Sequence, residues 1–195
     1  MLLCSPKCEM IFIRHSPTLY SDKLFGTTDV EADLKDSEHH KSIKERLKNI
    51  DVFYSSPAKR CLQTFNSIWP KKKLFTLDKR LWEQDFGDWE GLPYSQIPNI
   101  GKLNDEALAD YSIPKGESYN DMCKRIQPAI QEIAEKSLTK SCIIICHAGT
   151  IRAAIALALN CDFKALRFEI NHLSLTRIRV LENRDFSIIS TNINI

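Results

Sequence analysis

The sequence predicts a three-layer α/β/α domain built on a mostly parallel, mixed sheet. Two short apolar runs, Met10–Ile13 and Cys142–Cys146, show no alternation with polar residues, which is typical of strands covered on both faces. Longer segments with apolar residues at helical spacing lie between such runs. Strands that alternate with helices favour a parallel sheet with helices on both sides.

The first half of the chain contains three predicted strands, at residues 10–13, 52–55 and 73–77. The predicted helices of this half cover about residues 33–49 and 57–69. In the first helix, Ile43 and Leu47 are four residues apart and therefore share one face. In the second helix, Ser56 and Pro57 are typical of an N-cap and of the first helical position.

The second half begins with a mixed stretch over residues 92–111, in which we expect short helices only. A long helix over residues 117–135 is indicated by apolar residues at helical spacing, namely Met122, Ile126, Ile130 and Ile133. Another helix, over residues 150–159, directly follows His147. Two β-rich segments, at residues 174–180 and 186–191, complete the predicted sheet together with residues 142–146.

Composition indicates one folded domain over residues 1–195, with residues 1–9 as a mobile N-terminal extension. The chain is 43% hydrophobic and 27% charged, which is ordinary for a globular protein. A chain of this length removes roughly 70% of its unfolded surface from water. No linker-like stretch divides it. The formal net charge of +2 argues against a strongly basic surface for nucleic acid.

Membrane insertion and secretion are not expected. The longest apolar stretches, such as Ala153–Leu159, are far shorter than the ~20 residues that span a bilayer. The N-terminal residues lack the basic start and apolar core of a secretion signal. The seven cysteines follow no metal-ligand spacing, so we expect reduced thiols, no metal and a cytoplasmic location.

Polar groups follow the two apolar strands at their carboxyl ends. Arg14 and His15 come directly after the first strand, and His147 comes directly after Cys142–Cys146. In open α/β sheets, ligands bind at this edge. Two histidines that are far apart in sequence but share this position therefore predict one site.

Two further polar residues complete a predicted anion pocket. Arg60 lies near the start of the second helix, and Glu83 lies within the loop Leu81–Gly87. Arginines, histidines and a helix N-terminus all supply donors and positive potential to an anion. Each charge-assisted hydrogen bond contributes about 1.5–3 kcal/mol. Several of them together could hold a phosphate dianion without a metal.

Five blocks of residues, in order over about residues 11–152, carry a resemblance to a known family. They are Arg14-His15 with Thr18; Ser55-Ser56-Pro57 with Arg60, Gln63 and Thr64; Leu81, Glu83, Phe86-Gly87 and Trp89-Glu90-Gly91; Gly116-Glu117-Ser118 with Arg125; and His147-Ala148-Gly149 with Ile151-Arg152. They resemble the signature segments of the histidine phosphatase superfamily, whose branches include phosphoglycerate mutases and small phosphatases. Gly26 with Asp29, and residues 83–87, are similar to the α-ribazole phosphatase branch of cobalamin biosynthesis.

The resemblance implies a phosphoglycerate mutase-like fold and a metal-independent, cofactor-free phosphomonoesterase with a phosphohistidine intermediate. It assigns the nucleophile to His15 and the proton donor to Glu83. The phosphoryl oxygens would be bound by Arg14, Arg60 and His147, which also count as catalytic. The remaining substrate-binding residues implied by the resemblance are Thr18, Gly26, Thr27 and Ala148. The substrate would be a small phosphorylated metabolite such as α-ribazole 5′-phosphate.

Three positions depart from the family pattern. Ser16 replaces a glycine, Pro17 an acidic or amide residue, and Thr27 an arginine that is frequent in the branch. If the glycine were required for a positive φ, Ser16 would cost about 1–2 kcal/mol. Two alternatives stay open. One is a mutase-type phosphoryl transfer, and the other is a non-catalytic phosphate-binding module, which only the unusual Ser16-Pro17 supports. A homodimer is also left open.

The remaining histidines and aromatic residues receive no catalytic role. His39 and His40 lie in a charged helical stretch, so we expect both to face solvent. His172 precedes a strand and is assigned no function. Aromatic residues of the loops at 20–28 and 89–111 could form the rim of the pocket, namely Trp89, Tyr94 and Tyr111, although core packing is as good an expectation for Trp82 and Trp89.

Overall fold

The computed structural model describes residues 8–137 and 140–195, and a mixed sheet of six strands lies at its centre. The strands are β1 (Cys8–Arg14), β2 (Val52–Ser55), β3 (Thr76–Leu77), β4 (Cys142–Cys146), β5 (Leu175–Val180) and β6 (Phe186–Ile193). Their spatial order is β3-β2-β4-β1-β5-β6. The strands β1 to β4 are parallel, whereas β5 pairs antiparallel with both β1 and β6. The predicted α/β class with a mostly parallel, mixed sheet is confirmed.

Helices cover both faces of this sheet. They are α1 (Ser37–Arg46), α2 (Lys59–Ile68), α3 (Asp105–Asp110), α4 (Tyr119–Lys136) and α5 (Ala148–Leu159). Short 3₁₀ helices are formed by Lys79–Leu81, Gly87–Trp89, Tyr94–Gln96 and Phe163–Arg167. No helix in the described residues is both long and apolar enough to cross a bilayer.

The central strands divide their side chains between two cores. Phe12 of β1 and Ile144 of β4 pack into the core that contains residues of α4 and α5. Ile13 and Ile145 point to the opposite face, into the core that contains residues of α1 and α2. Since successive strand side chains alternate between faces, the unbroken apolar sequence of each central strand is explained by this three-layer arrangement.

Two predicted boundaries differ from the structure near the sheet edge. Helix α2 begins at Lys59, not at Pro57. The Ser56 hydroxyl lies 2.8 Å from His147 Nε2 and accepts from the N–H of the N-cap residue Ala58 at 3.4 Å. Asp29, from a distant loop, instead accepts a hydrogen bond from the Lys59 N–H at 2.8 Å. Strand β3 is shorter than predicted, because only Thr76 and Leu77 pair with β2.

The N-terminal prediction is only partly within the described residues. Cys8 and Glu9, the last two residues of the predicted extension, pair with Val180 and Arg179 as part of β1. Residues 1–7, including Cys4, lie outside the described part of the chain.

Candidate active site

The carboxyl ends of β1, β2 and β4 meet at one edge of the sheet and bring the two predicted histidines together. The His15 N–H donates to the Cys146 carbonyl at 3.0 Å, and the Ser56 N–H donates to the Ile145 carbonyl at 3.0 Å. These bonds continue the sheet beyond the strand ends. The rings of His15 and His147 then meet edge to face, with their centroids 5.1 Å apart.

The hydrogen bonds of His15 fix which ring nitrogen is available. Its Nδ1 lies 2.6 Å from the Ser16 carbonyl oxygen. Because a carbonyl only accepts, Nδ1 carries the proton and Nε2 keeps its lone pair. Burial, followed by the positive charges of Arg60 and Arg14, lowers the pKa of His15 well below its ordinary value. His15 is therefore a neutral imidazole at neutral pH, which is the form that can attack phosphorus.

Arg60 is a buried cation that donates to backbone carbonyls. Its side chain is 1% exposed, and it donates to the carbonyls of Gly26 at 2.6 Å and Thr28 at 3.2 Å. It takes part in no ion pair with any described residue. Burying an unpaired charge is costly, so an anion entering the pocket would relieve that cost.

The loop that holds Arg60 is fixed by a carboxylate. Glu90 accepts hydrogen bonds from the N–H groups of Gly26, Thr27, Thr28 and Phe86, at 2.9–3.2 Å. Burial raises the pKa of Glu90, but the hydrogen bonds outweigh it and leave the pKa lowered. A glycine is required at position 26, since a Cβ there would lie 1.8 Å from the Gln84 carbonyl oxygen.

Glu83 is held at the N-terminus of α5. Its two carboxylate oxygens lie 3.1 and 3.3 Å from the Gly149 N–H group, and Oε1 also accepts from the Gln84 N–H. A Cβ at Gly149 would stand 2.1 Å from Glu83 Oε1. Glycine at this position therefore allows the carboxylate to approach the helix. Glu83 is 8% exposed and lines the same pocket as His15.

His147 lies behind the pocket. It is the N-cap residue of α5 and is fully buried. Its Nε2 is 2.8 Å from the Ser56 hydroxyl and 3.6 Å from the Cys61 sulfur. Burial, and then the charge of Arg60, lowers its pKa well below the ordinary value. The predicted contact of His147 with phosphoryl oxygens stays a prediction.

The pocket has a volume of about 310 Å³ and a mixed lining. The catalytic candidates among its lining residues are Arg14, His15, Arg60 and Glu83, and the others are Pro17, Thr18, Tyr20, Ser21, Lys23, Phe25, Tyr94 and His172. Of the further predicted substrate-binding residues, Thr18 is in this lining. Gly26, Thr27 and Ala148 are outside it, and the first two contact Glu90 instead. Of the predicted aromatic rim, Tyr94 is in the lining. Trp89 and Tyr111 are outside the lining and stack on each other, with centroids 5.9 Å apart.

The expectation that His39 and His40 both face solvent is wrong, because the His39 side chain is only 18% exposed and His40 is buried. His40 does not face solvent but is 3% exposed, because its ring bridges the hydroxyls of Ser16 and Ser67, each at 2.9 Å. Ser16 has no positive φ, so the predicted strain of 1–2 kcal/mol does not arise. Its hydroxyl instead contributes to this buried chain of hydrogen bonds behind the loop that contains His15.

His172 was missed because a lone histidine before a strand carries no sequence pattern. Its ring lies 5.2 Å from that of His15, and its Nδ1 is 2.9 Å from the His15 carbonyl oxygen. In the described residues, no group of three or more histidine, cysteine or acidic side chains is arranged to hold a metal ion. The site is thus a cationic, histidine-rich pocket with one acid.

The chain resembles known proteins in sequence and in structure. The family model described as histidine phosphatase superfamily (branch 1) matches residues 10–194. Phosphoglycerate mutase-like protein 4 of Arabidopsis thaliana is 31% identical over 157 residues, which cover 74% of this chain and 68% of that protein. Fructose-2,6-bisphosphatase of Saccharomyces cerevisiae is 30% identical over 167 residues, which cover 80% of this chain but only 35% of the yeast protein.

A solved structure shares the fold over nearly the whole chain. A candidate α-ribazole-5′-phosphate phosphatase from Escherichia coli superposes with a TM-score of 0.82 at 17% identity, covering 96% of this chain and 97% of the other. At this identity the likeness concerns the fold alone.

Proposed function

The chain belongs to the histidine phosphatase superfamily, and we propose that it hydrolyses phosphate monoesters through a phosphohistidine formed on His15. The observation that carries this proposal is that a neutral histidine shares the pocket with a buried arginine for which the described residues provide no ion pair. His15 presents a free Nε2, and Arg60 supplies positive charge to the same pocket. The oxygens of a phosphate dianion would accept hydrogen bonds from Arg60, and its phosphorus would then face the lone pair of Nε2.

In the first step, the lone pair of His15 Nε2 forms a bond to phosphorus while the ester P–O bond breaks. The leaving oxygen takes its electron pair and receives the proton of the Glu83 carboxyl group. Arg14 and Arg60 stabilise the charge on the phosphoryl oxygens. The positions of Glu83 and His15 in one lining support this assignment.

In the second step, water attacks the phosphohistidine. Glu83, now a carboxylate, accepts a proton from that water as the new P–O bond forms. The N–P bond breaks, its electron pair returns to Nε2, and inorganic phosphate leaves. Because Glu83 is fixed by two backbone N–H groups, it is held in place for both proton transfers.

For the substrate, we propose a small phosphorylated metabolite with α-ribazole 5′-phosphate as the first candidate. The aromatic side chains of Tyr20, Phe25 and Tyr94 line the pocket, and Tyr94 is 57% exposed. Stacking on a planar base contributes about 1–3 kcal/mol. We therefore expect kcat/KM for α-ribazole 5′-phosphate to exceed that for 3-phosphoglycerate by about 10-fold. A cytoplasmic location remains part of this proposal.

The decisive experiment is to trap the phosphoenzyme. After rapid acid-free quenching of the wild type with a labelled phosphomonoester, we expect base-stable, acid-labile phosphate on the protein, and none on His15→Ala. His39→Ala is the matched control, because His39 lies outside the pocket lining. Normal hydrolysis by His15→Ala would overturn the proposal.

The same assay separates hydrolysis from the two alternatives. Release of inorganic phosphate without isomerised ester contradicts mutase-type transfer, and any turnover contradicts a non-catalytic binding module. Turnover should survive EDTA, because arginines supply the positive charge at the phosphate. Loss of turnover with EDTA and its recovery with a divalent ion would contradict the proposed mechanism.

A further inference from the structure

A third histidine faces the pocket beside the nucleophile. His172 lies just before β5, and its partly buried ring lines the pocket together with Arg14 and His15. Its Nδ1 is 2.9 Å from the His15 carbonyl oxygen. Since that carbonyl only accepts, Nδ1 carries the proton of the neutral ring and Nε2 keeps an unshared lone pair.

The lone pair of His172 is available to a ligand. No described residue forms a hydrogen bond with its Nε2. Burial, followed by the charge of Arg14, lowers the pKa of His172 to about 4, so the ring is neutral at neutral pH. Beside the donors of Arg14, Arg60 and Lys23, the pocket therefore holds a second neutral imidazole nitrogen, Nε2 of His172, in addition to Nε2 of His15.

The chemistry of the acceptor restricts what it can bind. A phosphate dianion offers only acceptor oxygens, so its hydrogen bonds go to the arginines and not to an unprotonated Nε2. The alcohol part of the ester is the remaining source of a donor. A hydroxyl group near the phosphate supplies an O–H that Nε2 can accept.

We propose that His172 is a substrate-binding residue that selects phosphate monoesters whose alcohol part carries a hydroxyl group close to the phosphate. This inference rests on the proposed phosphatase function and adds a substrate class to it. Two observations carry the inference. The His172 ring lines the pocket, and its hydrogen bond to the His15 carbonyl fixes the tautomer in which Nε2 is the acceptor.

The test compares two esters with the same three-carbon chain, glycerol 3-phosphate and n-propyl phosphate. We expect the wild type to prefer glycerol 3-phosphate by about 10-fold in kcat/KM, the usual effect of one neutral hydrogen bond. In His172→Asn, the amide N–H can still reach the His15 carbonyl, but the acceptor at the Nε2 position is lost. The preference should then fall towards the value set by the leaving groups alone, whereas His172→Gln, which restores an amide oxygen near that position, should recover part of it.

Comparing the ratio between enzymes cancels the different acidities of the two alcohols. His39→Asn is the matched control, because it makes the same substitution at a histidine outside this lining. An unchanged ratio in His172→Asn, or an equal loss for both esters, would overturn the inference. Hydrolysis of p-nitrophenyl phosphate by the wild type tests the proposed function separately. If the wild type does not hydrolyse this ester, the phosphatase function fails. If it does but the ester preference is unchanged in His172→Asn, only the role of His172 fails.

Discussion

Two arginines, Arg125 and Arg60, differ in the groups that accept their hydrogen bonds. Arg125 donates to both carboxylate oxygens of Glu117 at 2.8 and 2.7 Å, and to the carbonyls of Arg80, Trp82 and Glu83. We call this set the Arg125 network. Arg60, in the pocket, donates only to the carbonyls of Gly26 and Thr28 among the described residues.

Under the proposed function, the difference separates a charge that fixes the backbone from a charge that binds phosphate. In the Arg125 network the guanidinium is neutralised, and it fixes the backbone that precedes and includes Glu83. In the pocket the guanidinium keeps its full charge in a buried place, at a cost in folding free energy. Binding of an anionic ligand would offset this cost. We therefore expect changes in the Arg125 network to alter stability against denaturant, and changes at Arg60 to alter the binding of phosphate.

The largest effect is expected from replacing the two arginines separately with methionine. Arg60→Met should lower kcat/KM by about 10²–10³-fold, as for the loss of one transition-state donor. Arg125→Met should lower the free energy of unfolding by about 2 kcal/mol, because Glu117 loses its partner while partly buried. Steady-state kinetics and urea unfolding measure both quantities on both variants.

Inorganic phosphate sharpens this first test. It should raise the melting temperature of the wild type and of Arg125→Met, but not that of Arg60→Met. Equal stabilisation of all three proteins would remove the distinction between the two regions.

A smaller effect is expected for Glu83→Gln, because only one proton transfer is lost. Alkyl phosphates, whose alkoxides leave poorly, should slow by about 10²-fold in the formation of phosphoenzyme. p-Nitrophenyl phosphate should slow less, since its leaving group needs little proton transfer. Single-turnover kinetics with both esters distinguish the outcomes. Equal losses would assign Glu83 to positioning, which is the role of the Arg125 network.

The next largest effect is expected from breaking the chain of hydrogen bonds formed by Ser16, His40 and Ser67 behind His15. Ser16→Ala leaves the His40 ring without one of its two partners, which should cost about 1–3 kcal/mol for a buried polar group. Ser16→Gly, the residue typical of the family, is the companion variant and should lose a similar amount. Thermal unfolding measures the change. If neither variant is destabilised, the pocket does not depend on this neutral chain for its rigidity.

The smallest effect is expected with pH close to neutrality. The pKa values of His15, His147 and His172 are lowered in the folded state, so the unfolded chain binds more protons below about pH 6.5. Stability should therefore be constant with respect to these groups above pH 6.5 and should fall as the pH decreases below it. For one histidine the slope is at most about 1.4 kcal/mol per pH unit.

The same pH scan distinguishes the two regions. Hydrogen bonds from Arg80 lower the pKa of Asp78 and Glu132, so these neighbours of the Arg125 network stay ionised throughout. His172→Asn should make the decline in melting temperature between pH 6.5 and 5 shallower than in the wild type. An identical decline would show that His172 does not remain neutral in the folded protein.

The sequence predicted the sheet well because its strong signals are local. The apolar runs of β1 and β4 and the helical spacing in α4 appear directly in the sequence, and their boundaries agree within two or three residues. Helix α2 was placed two residues too early, since its cap comes from Asp29, a long-range contact. Local patterns carry no information about such partners.

For the site, the sequence identified residues but not their environments. His15, Arg60 and Glu83 were found through motifs and share one pocket lining. The burial of His40 and the pocket position of His172 depend on which loops meet at the sheet edge. Both histidines are isolated in the sequence, so only the three-dimensional arrangement reveals their neighbours.

The order of the strands also affects how the protein is made. Strand β1 leaves the ribosome before every other described strand, yet its two neighbours in the sheet are β4 and β5. A nascent chain that ends before Leu175 therefore has one edge of the central strand β1 without its hydrogen-bonding partner β5. Exposed edges of this kind favour association between chains. During synthesis this edge of β1 therefore stays open to association until β5 is translated.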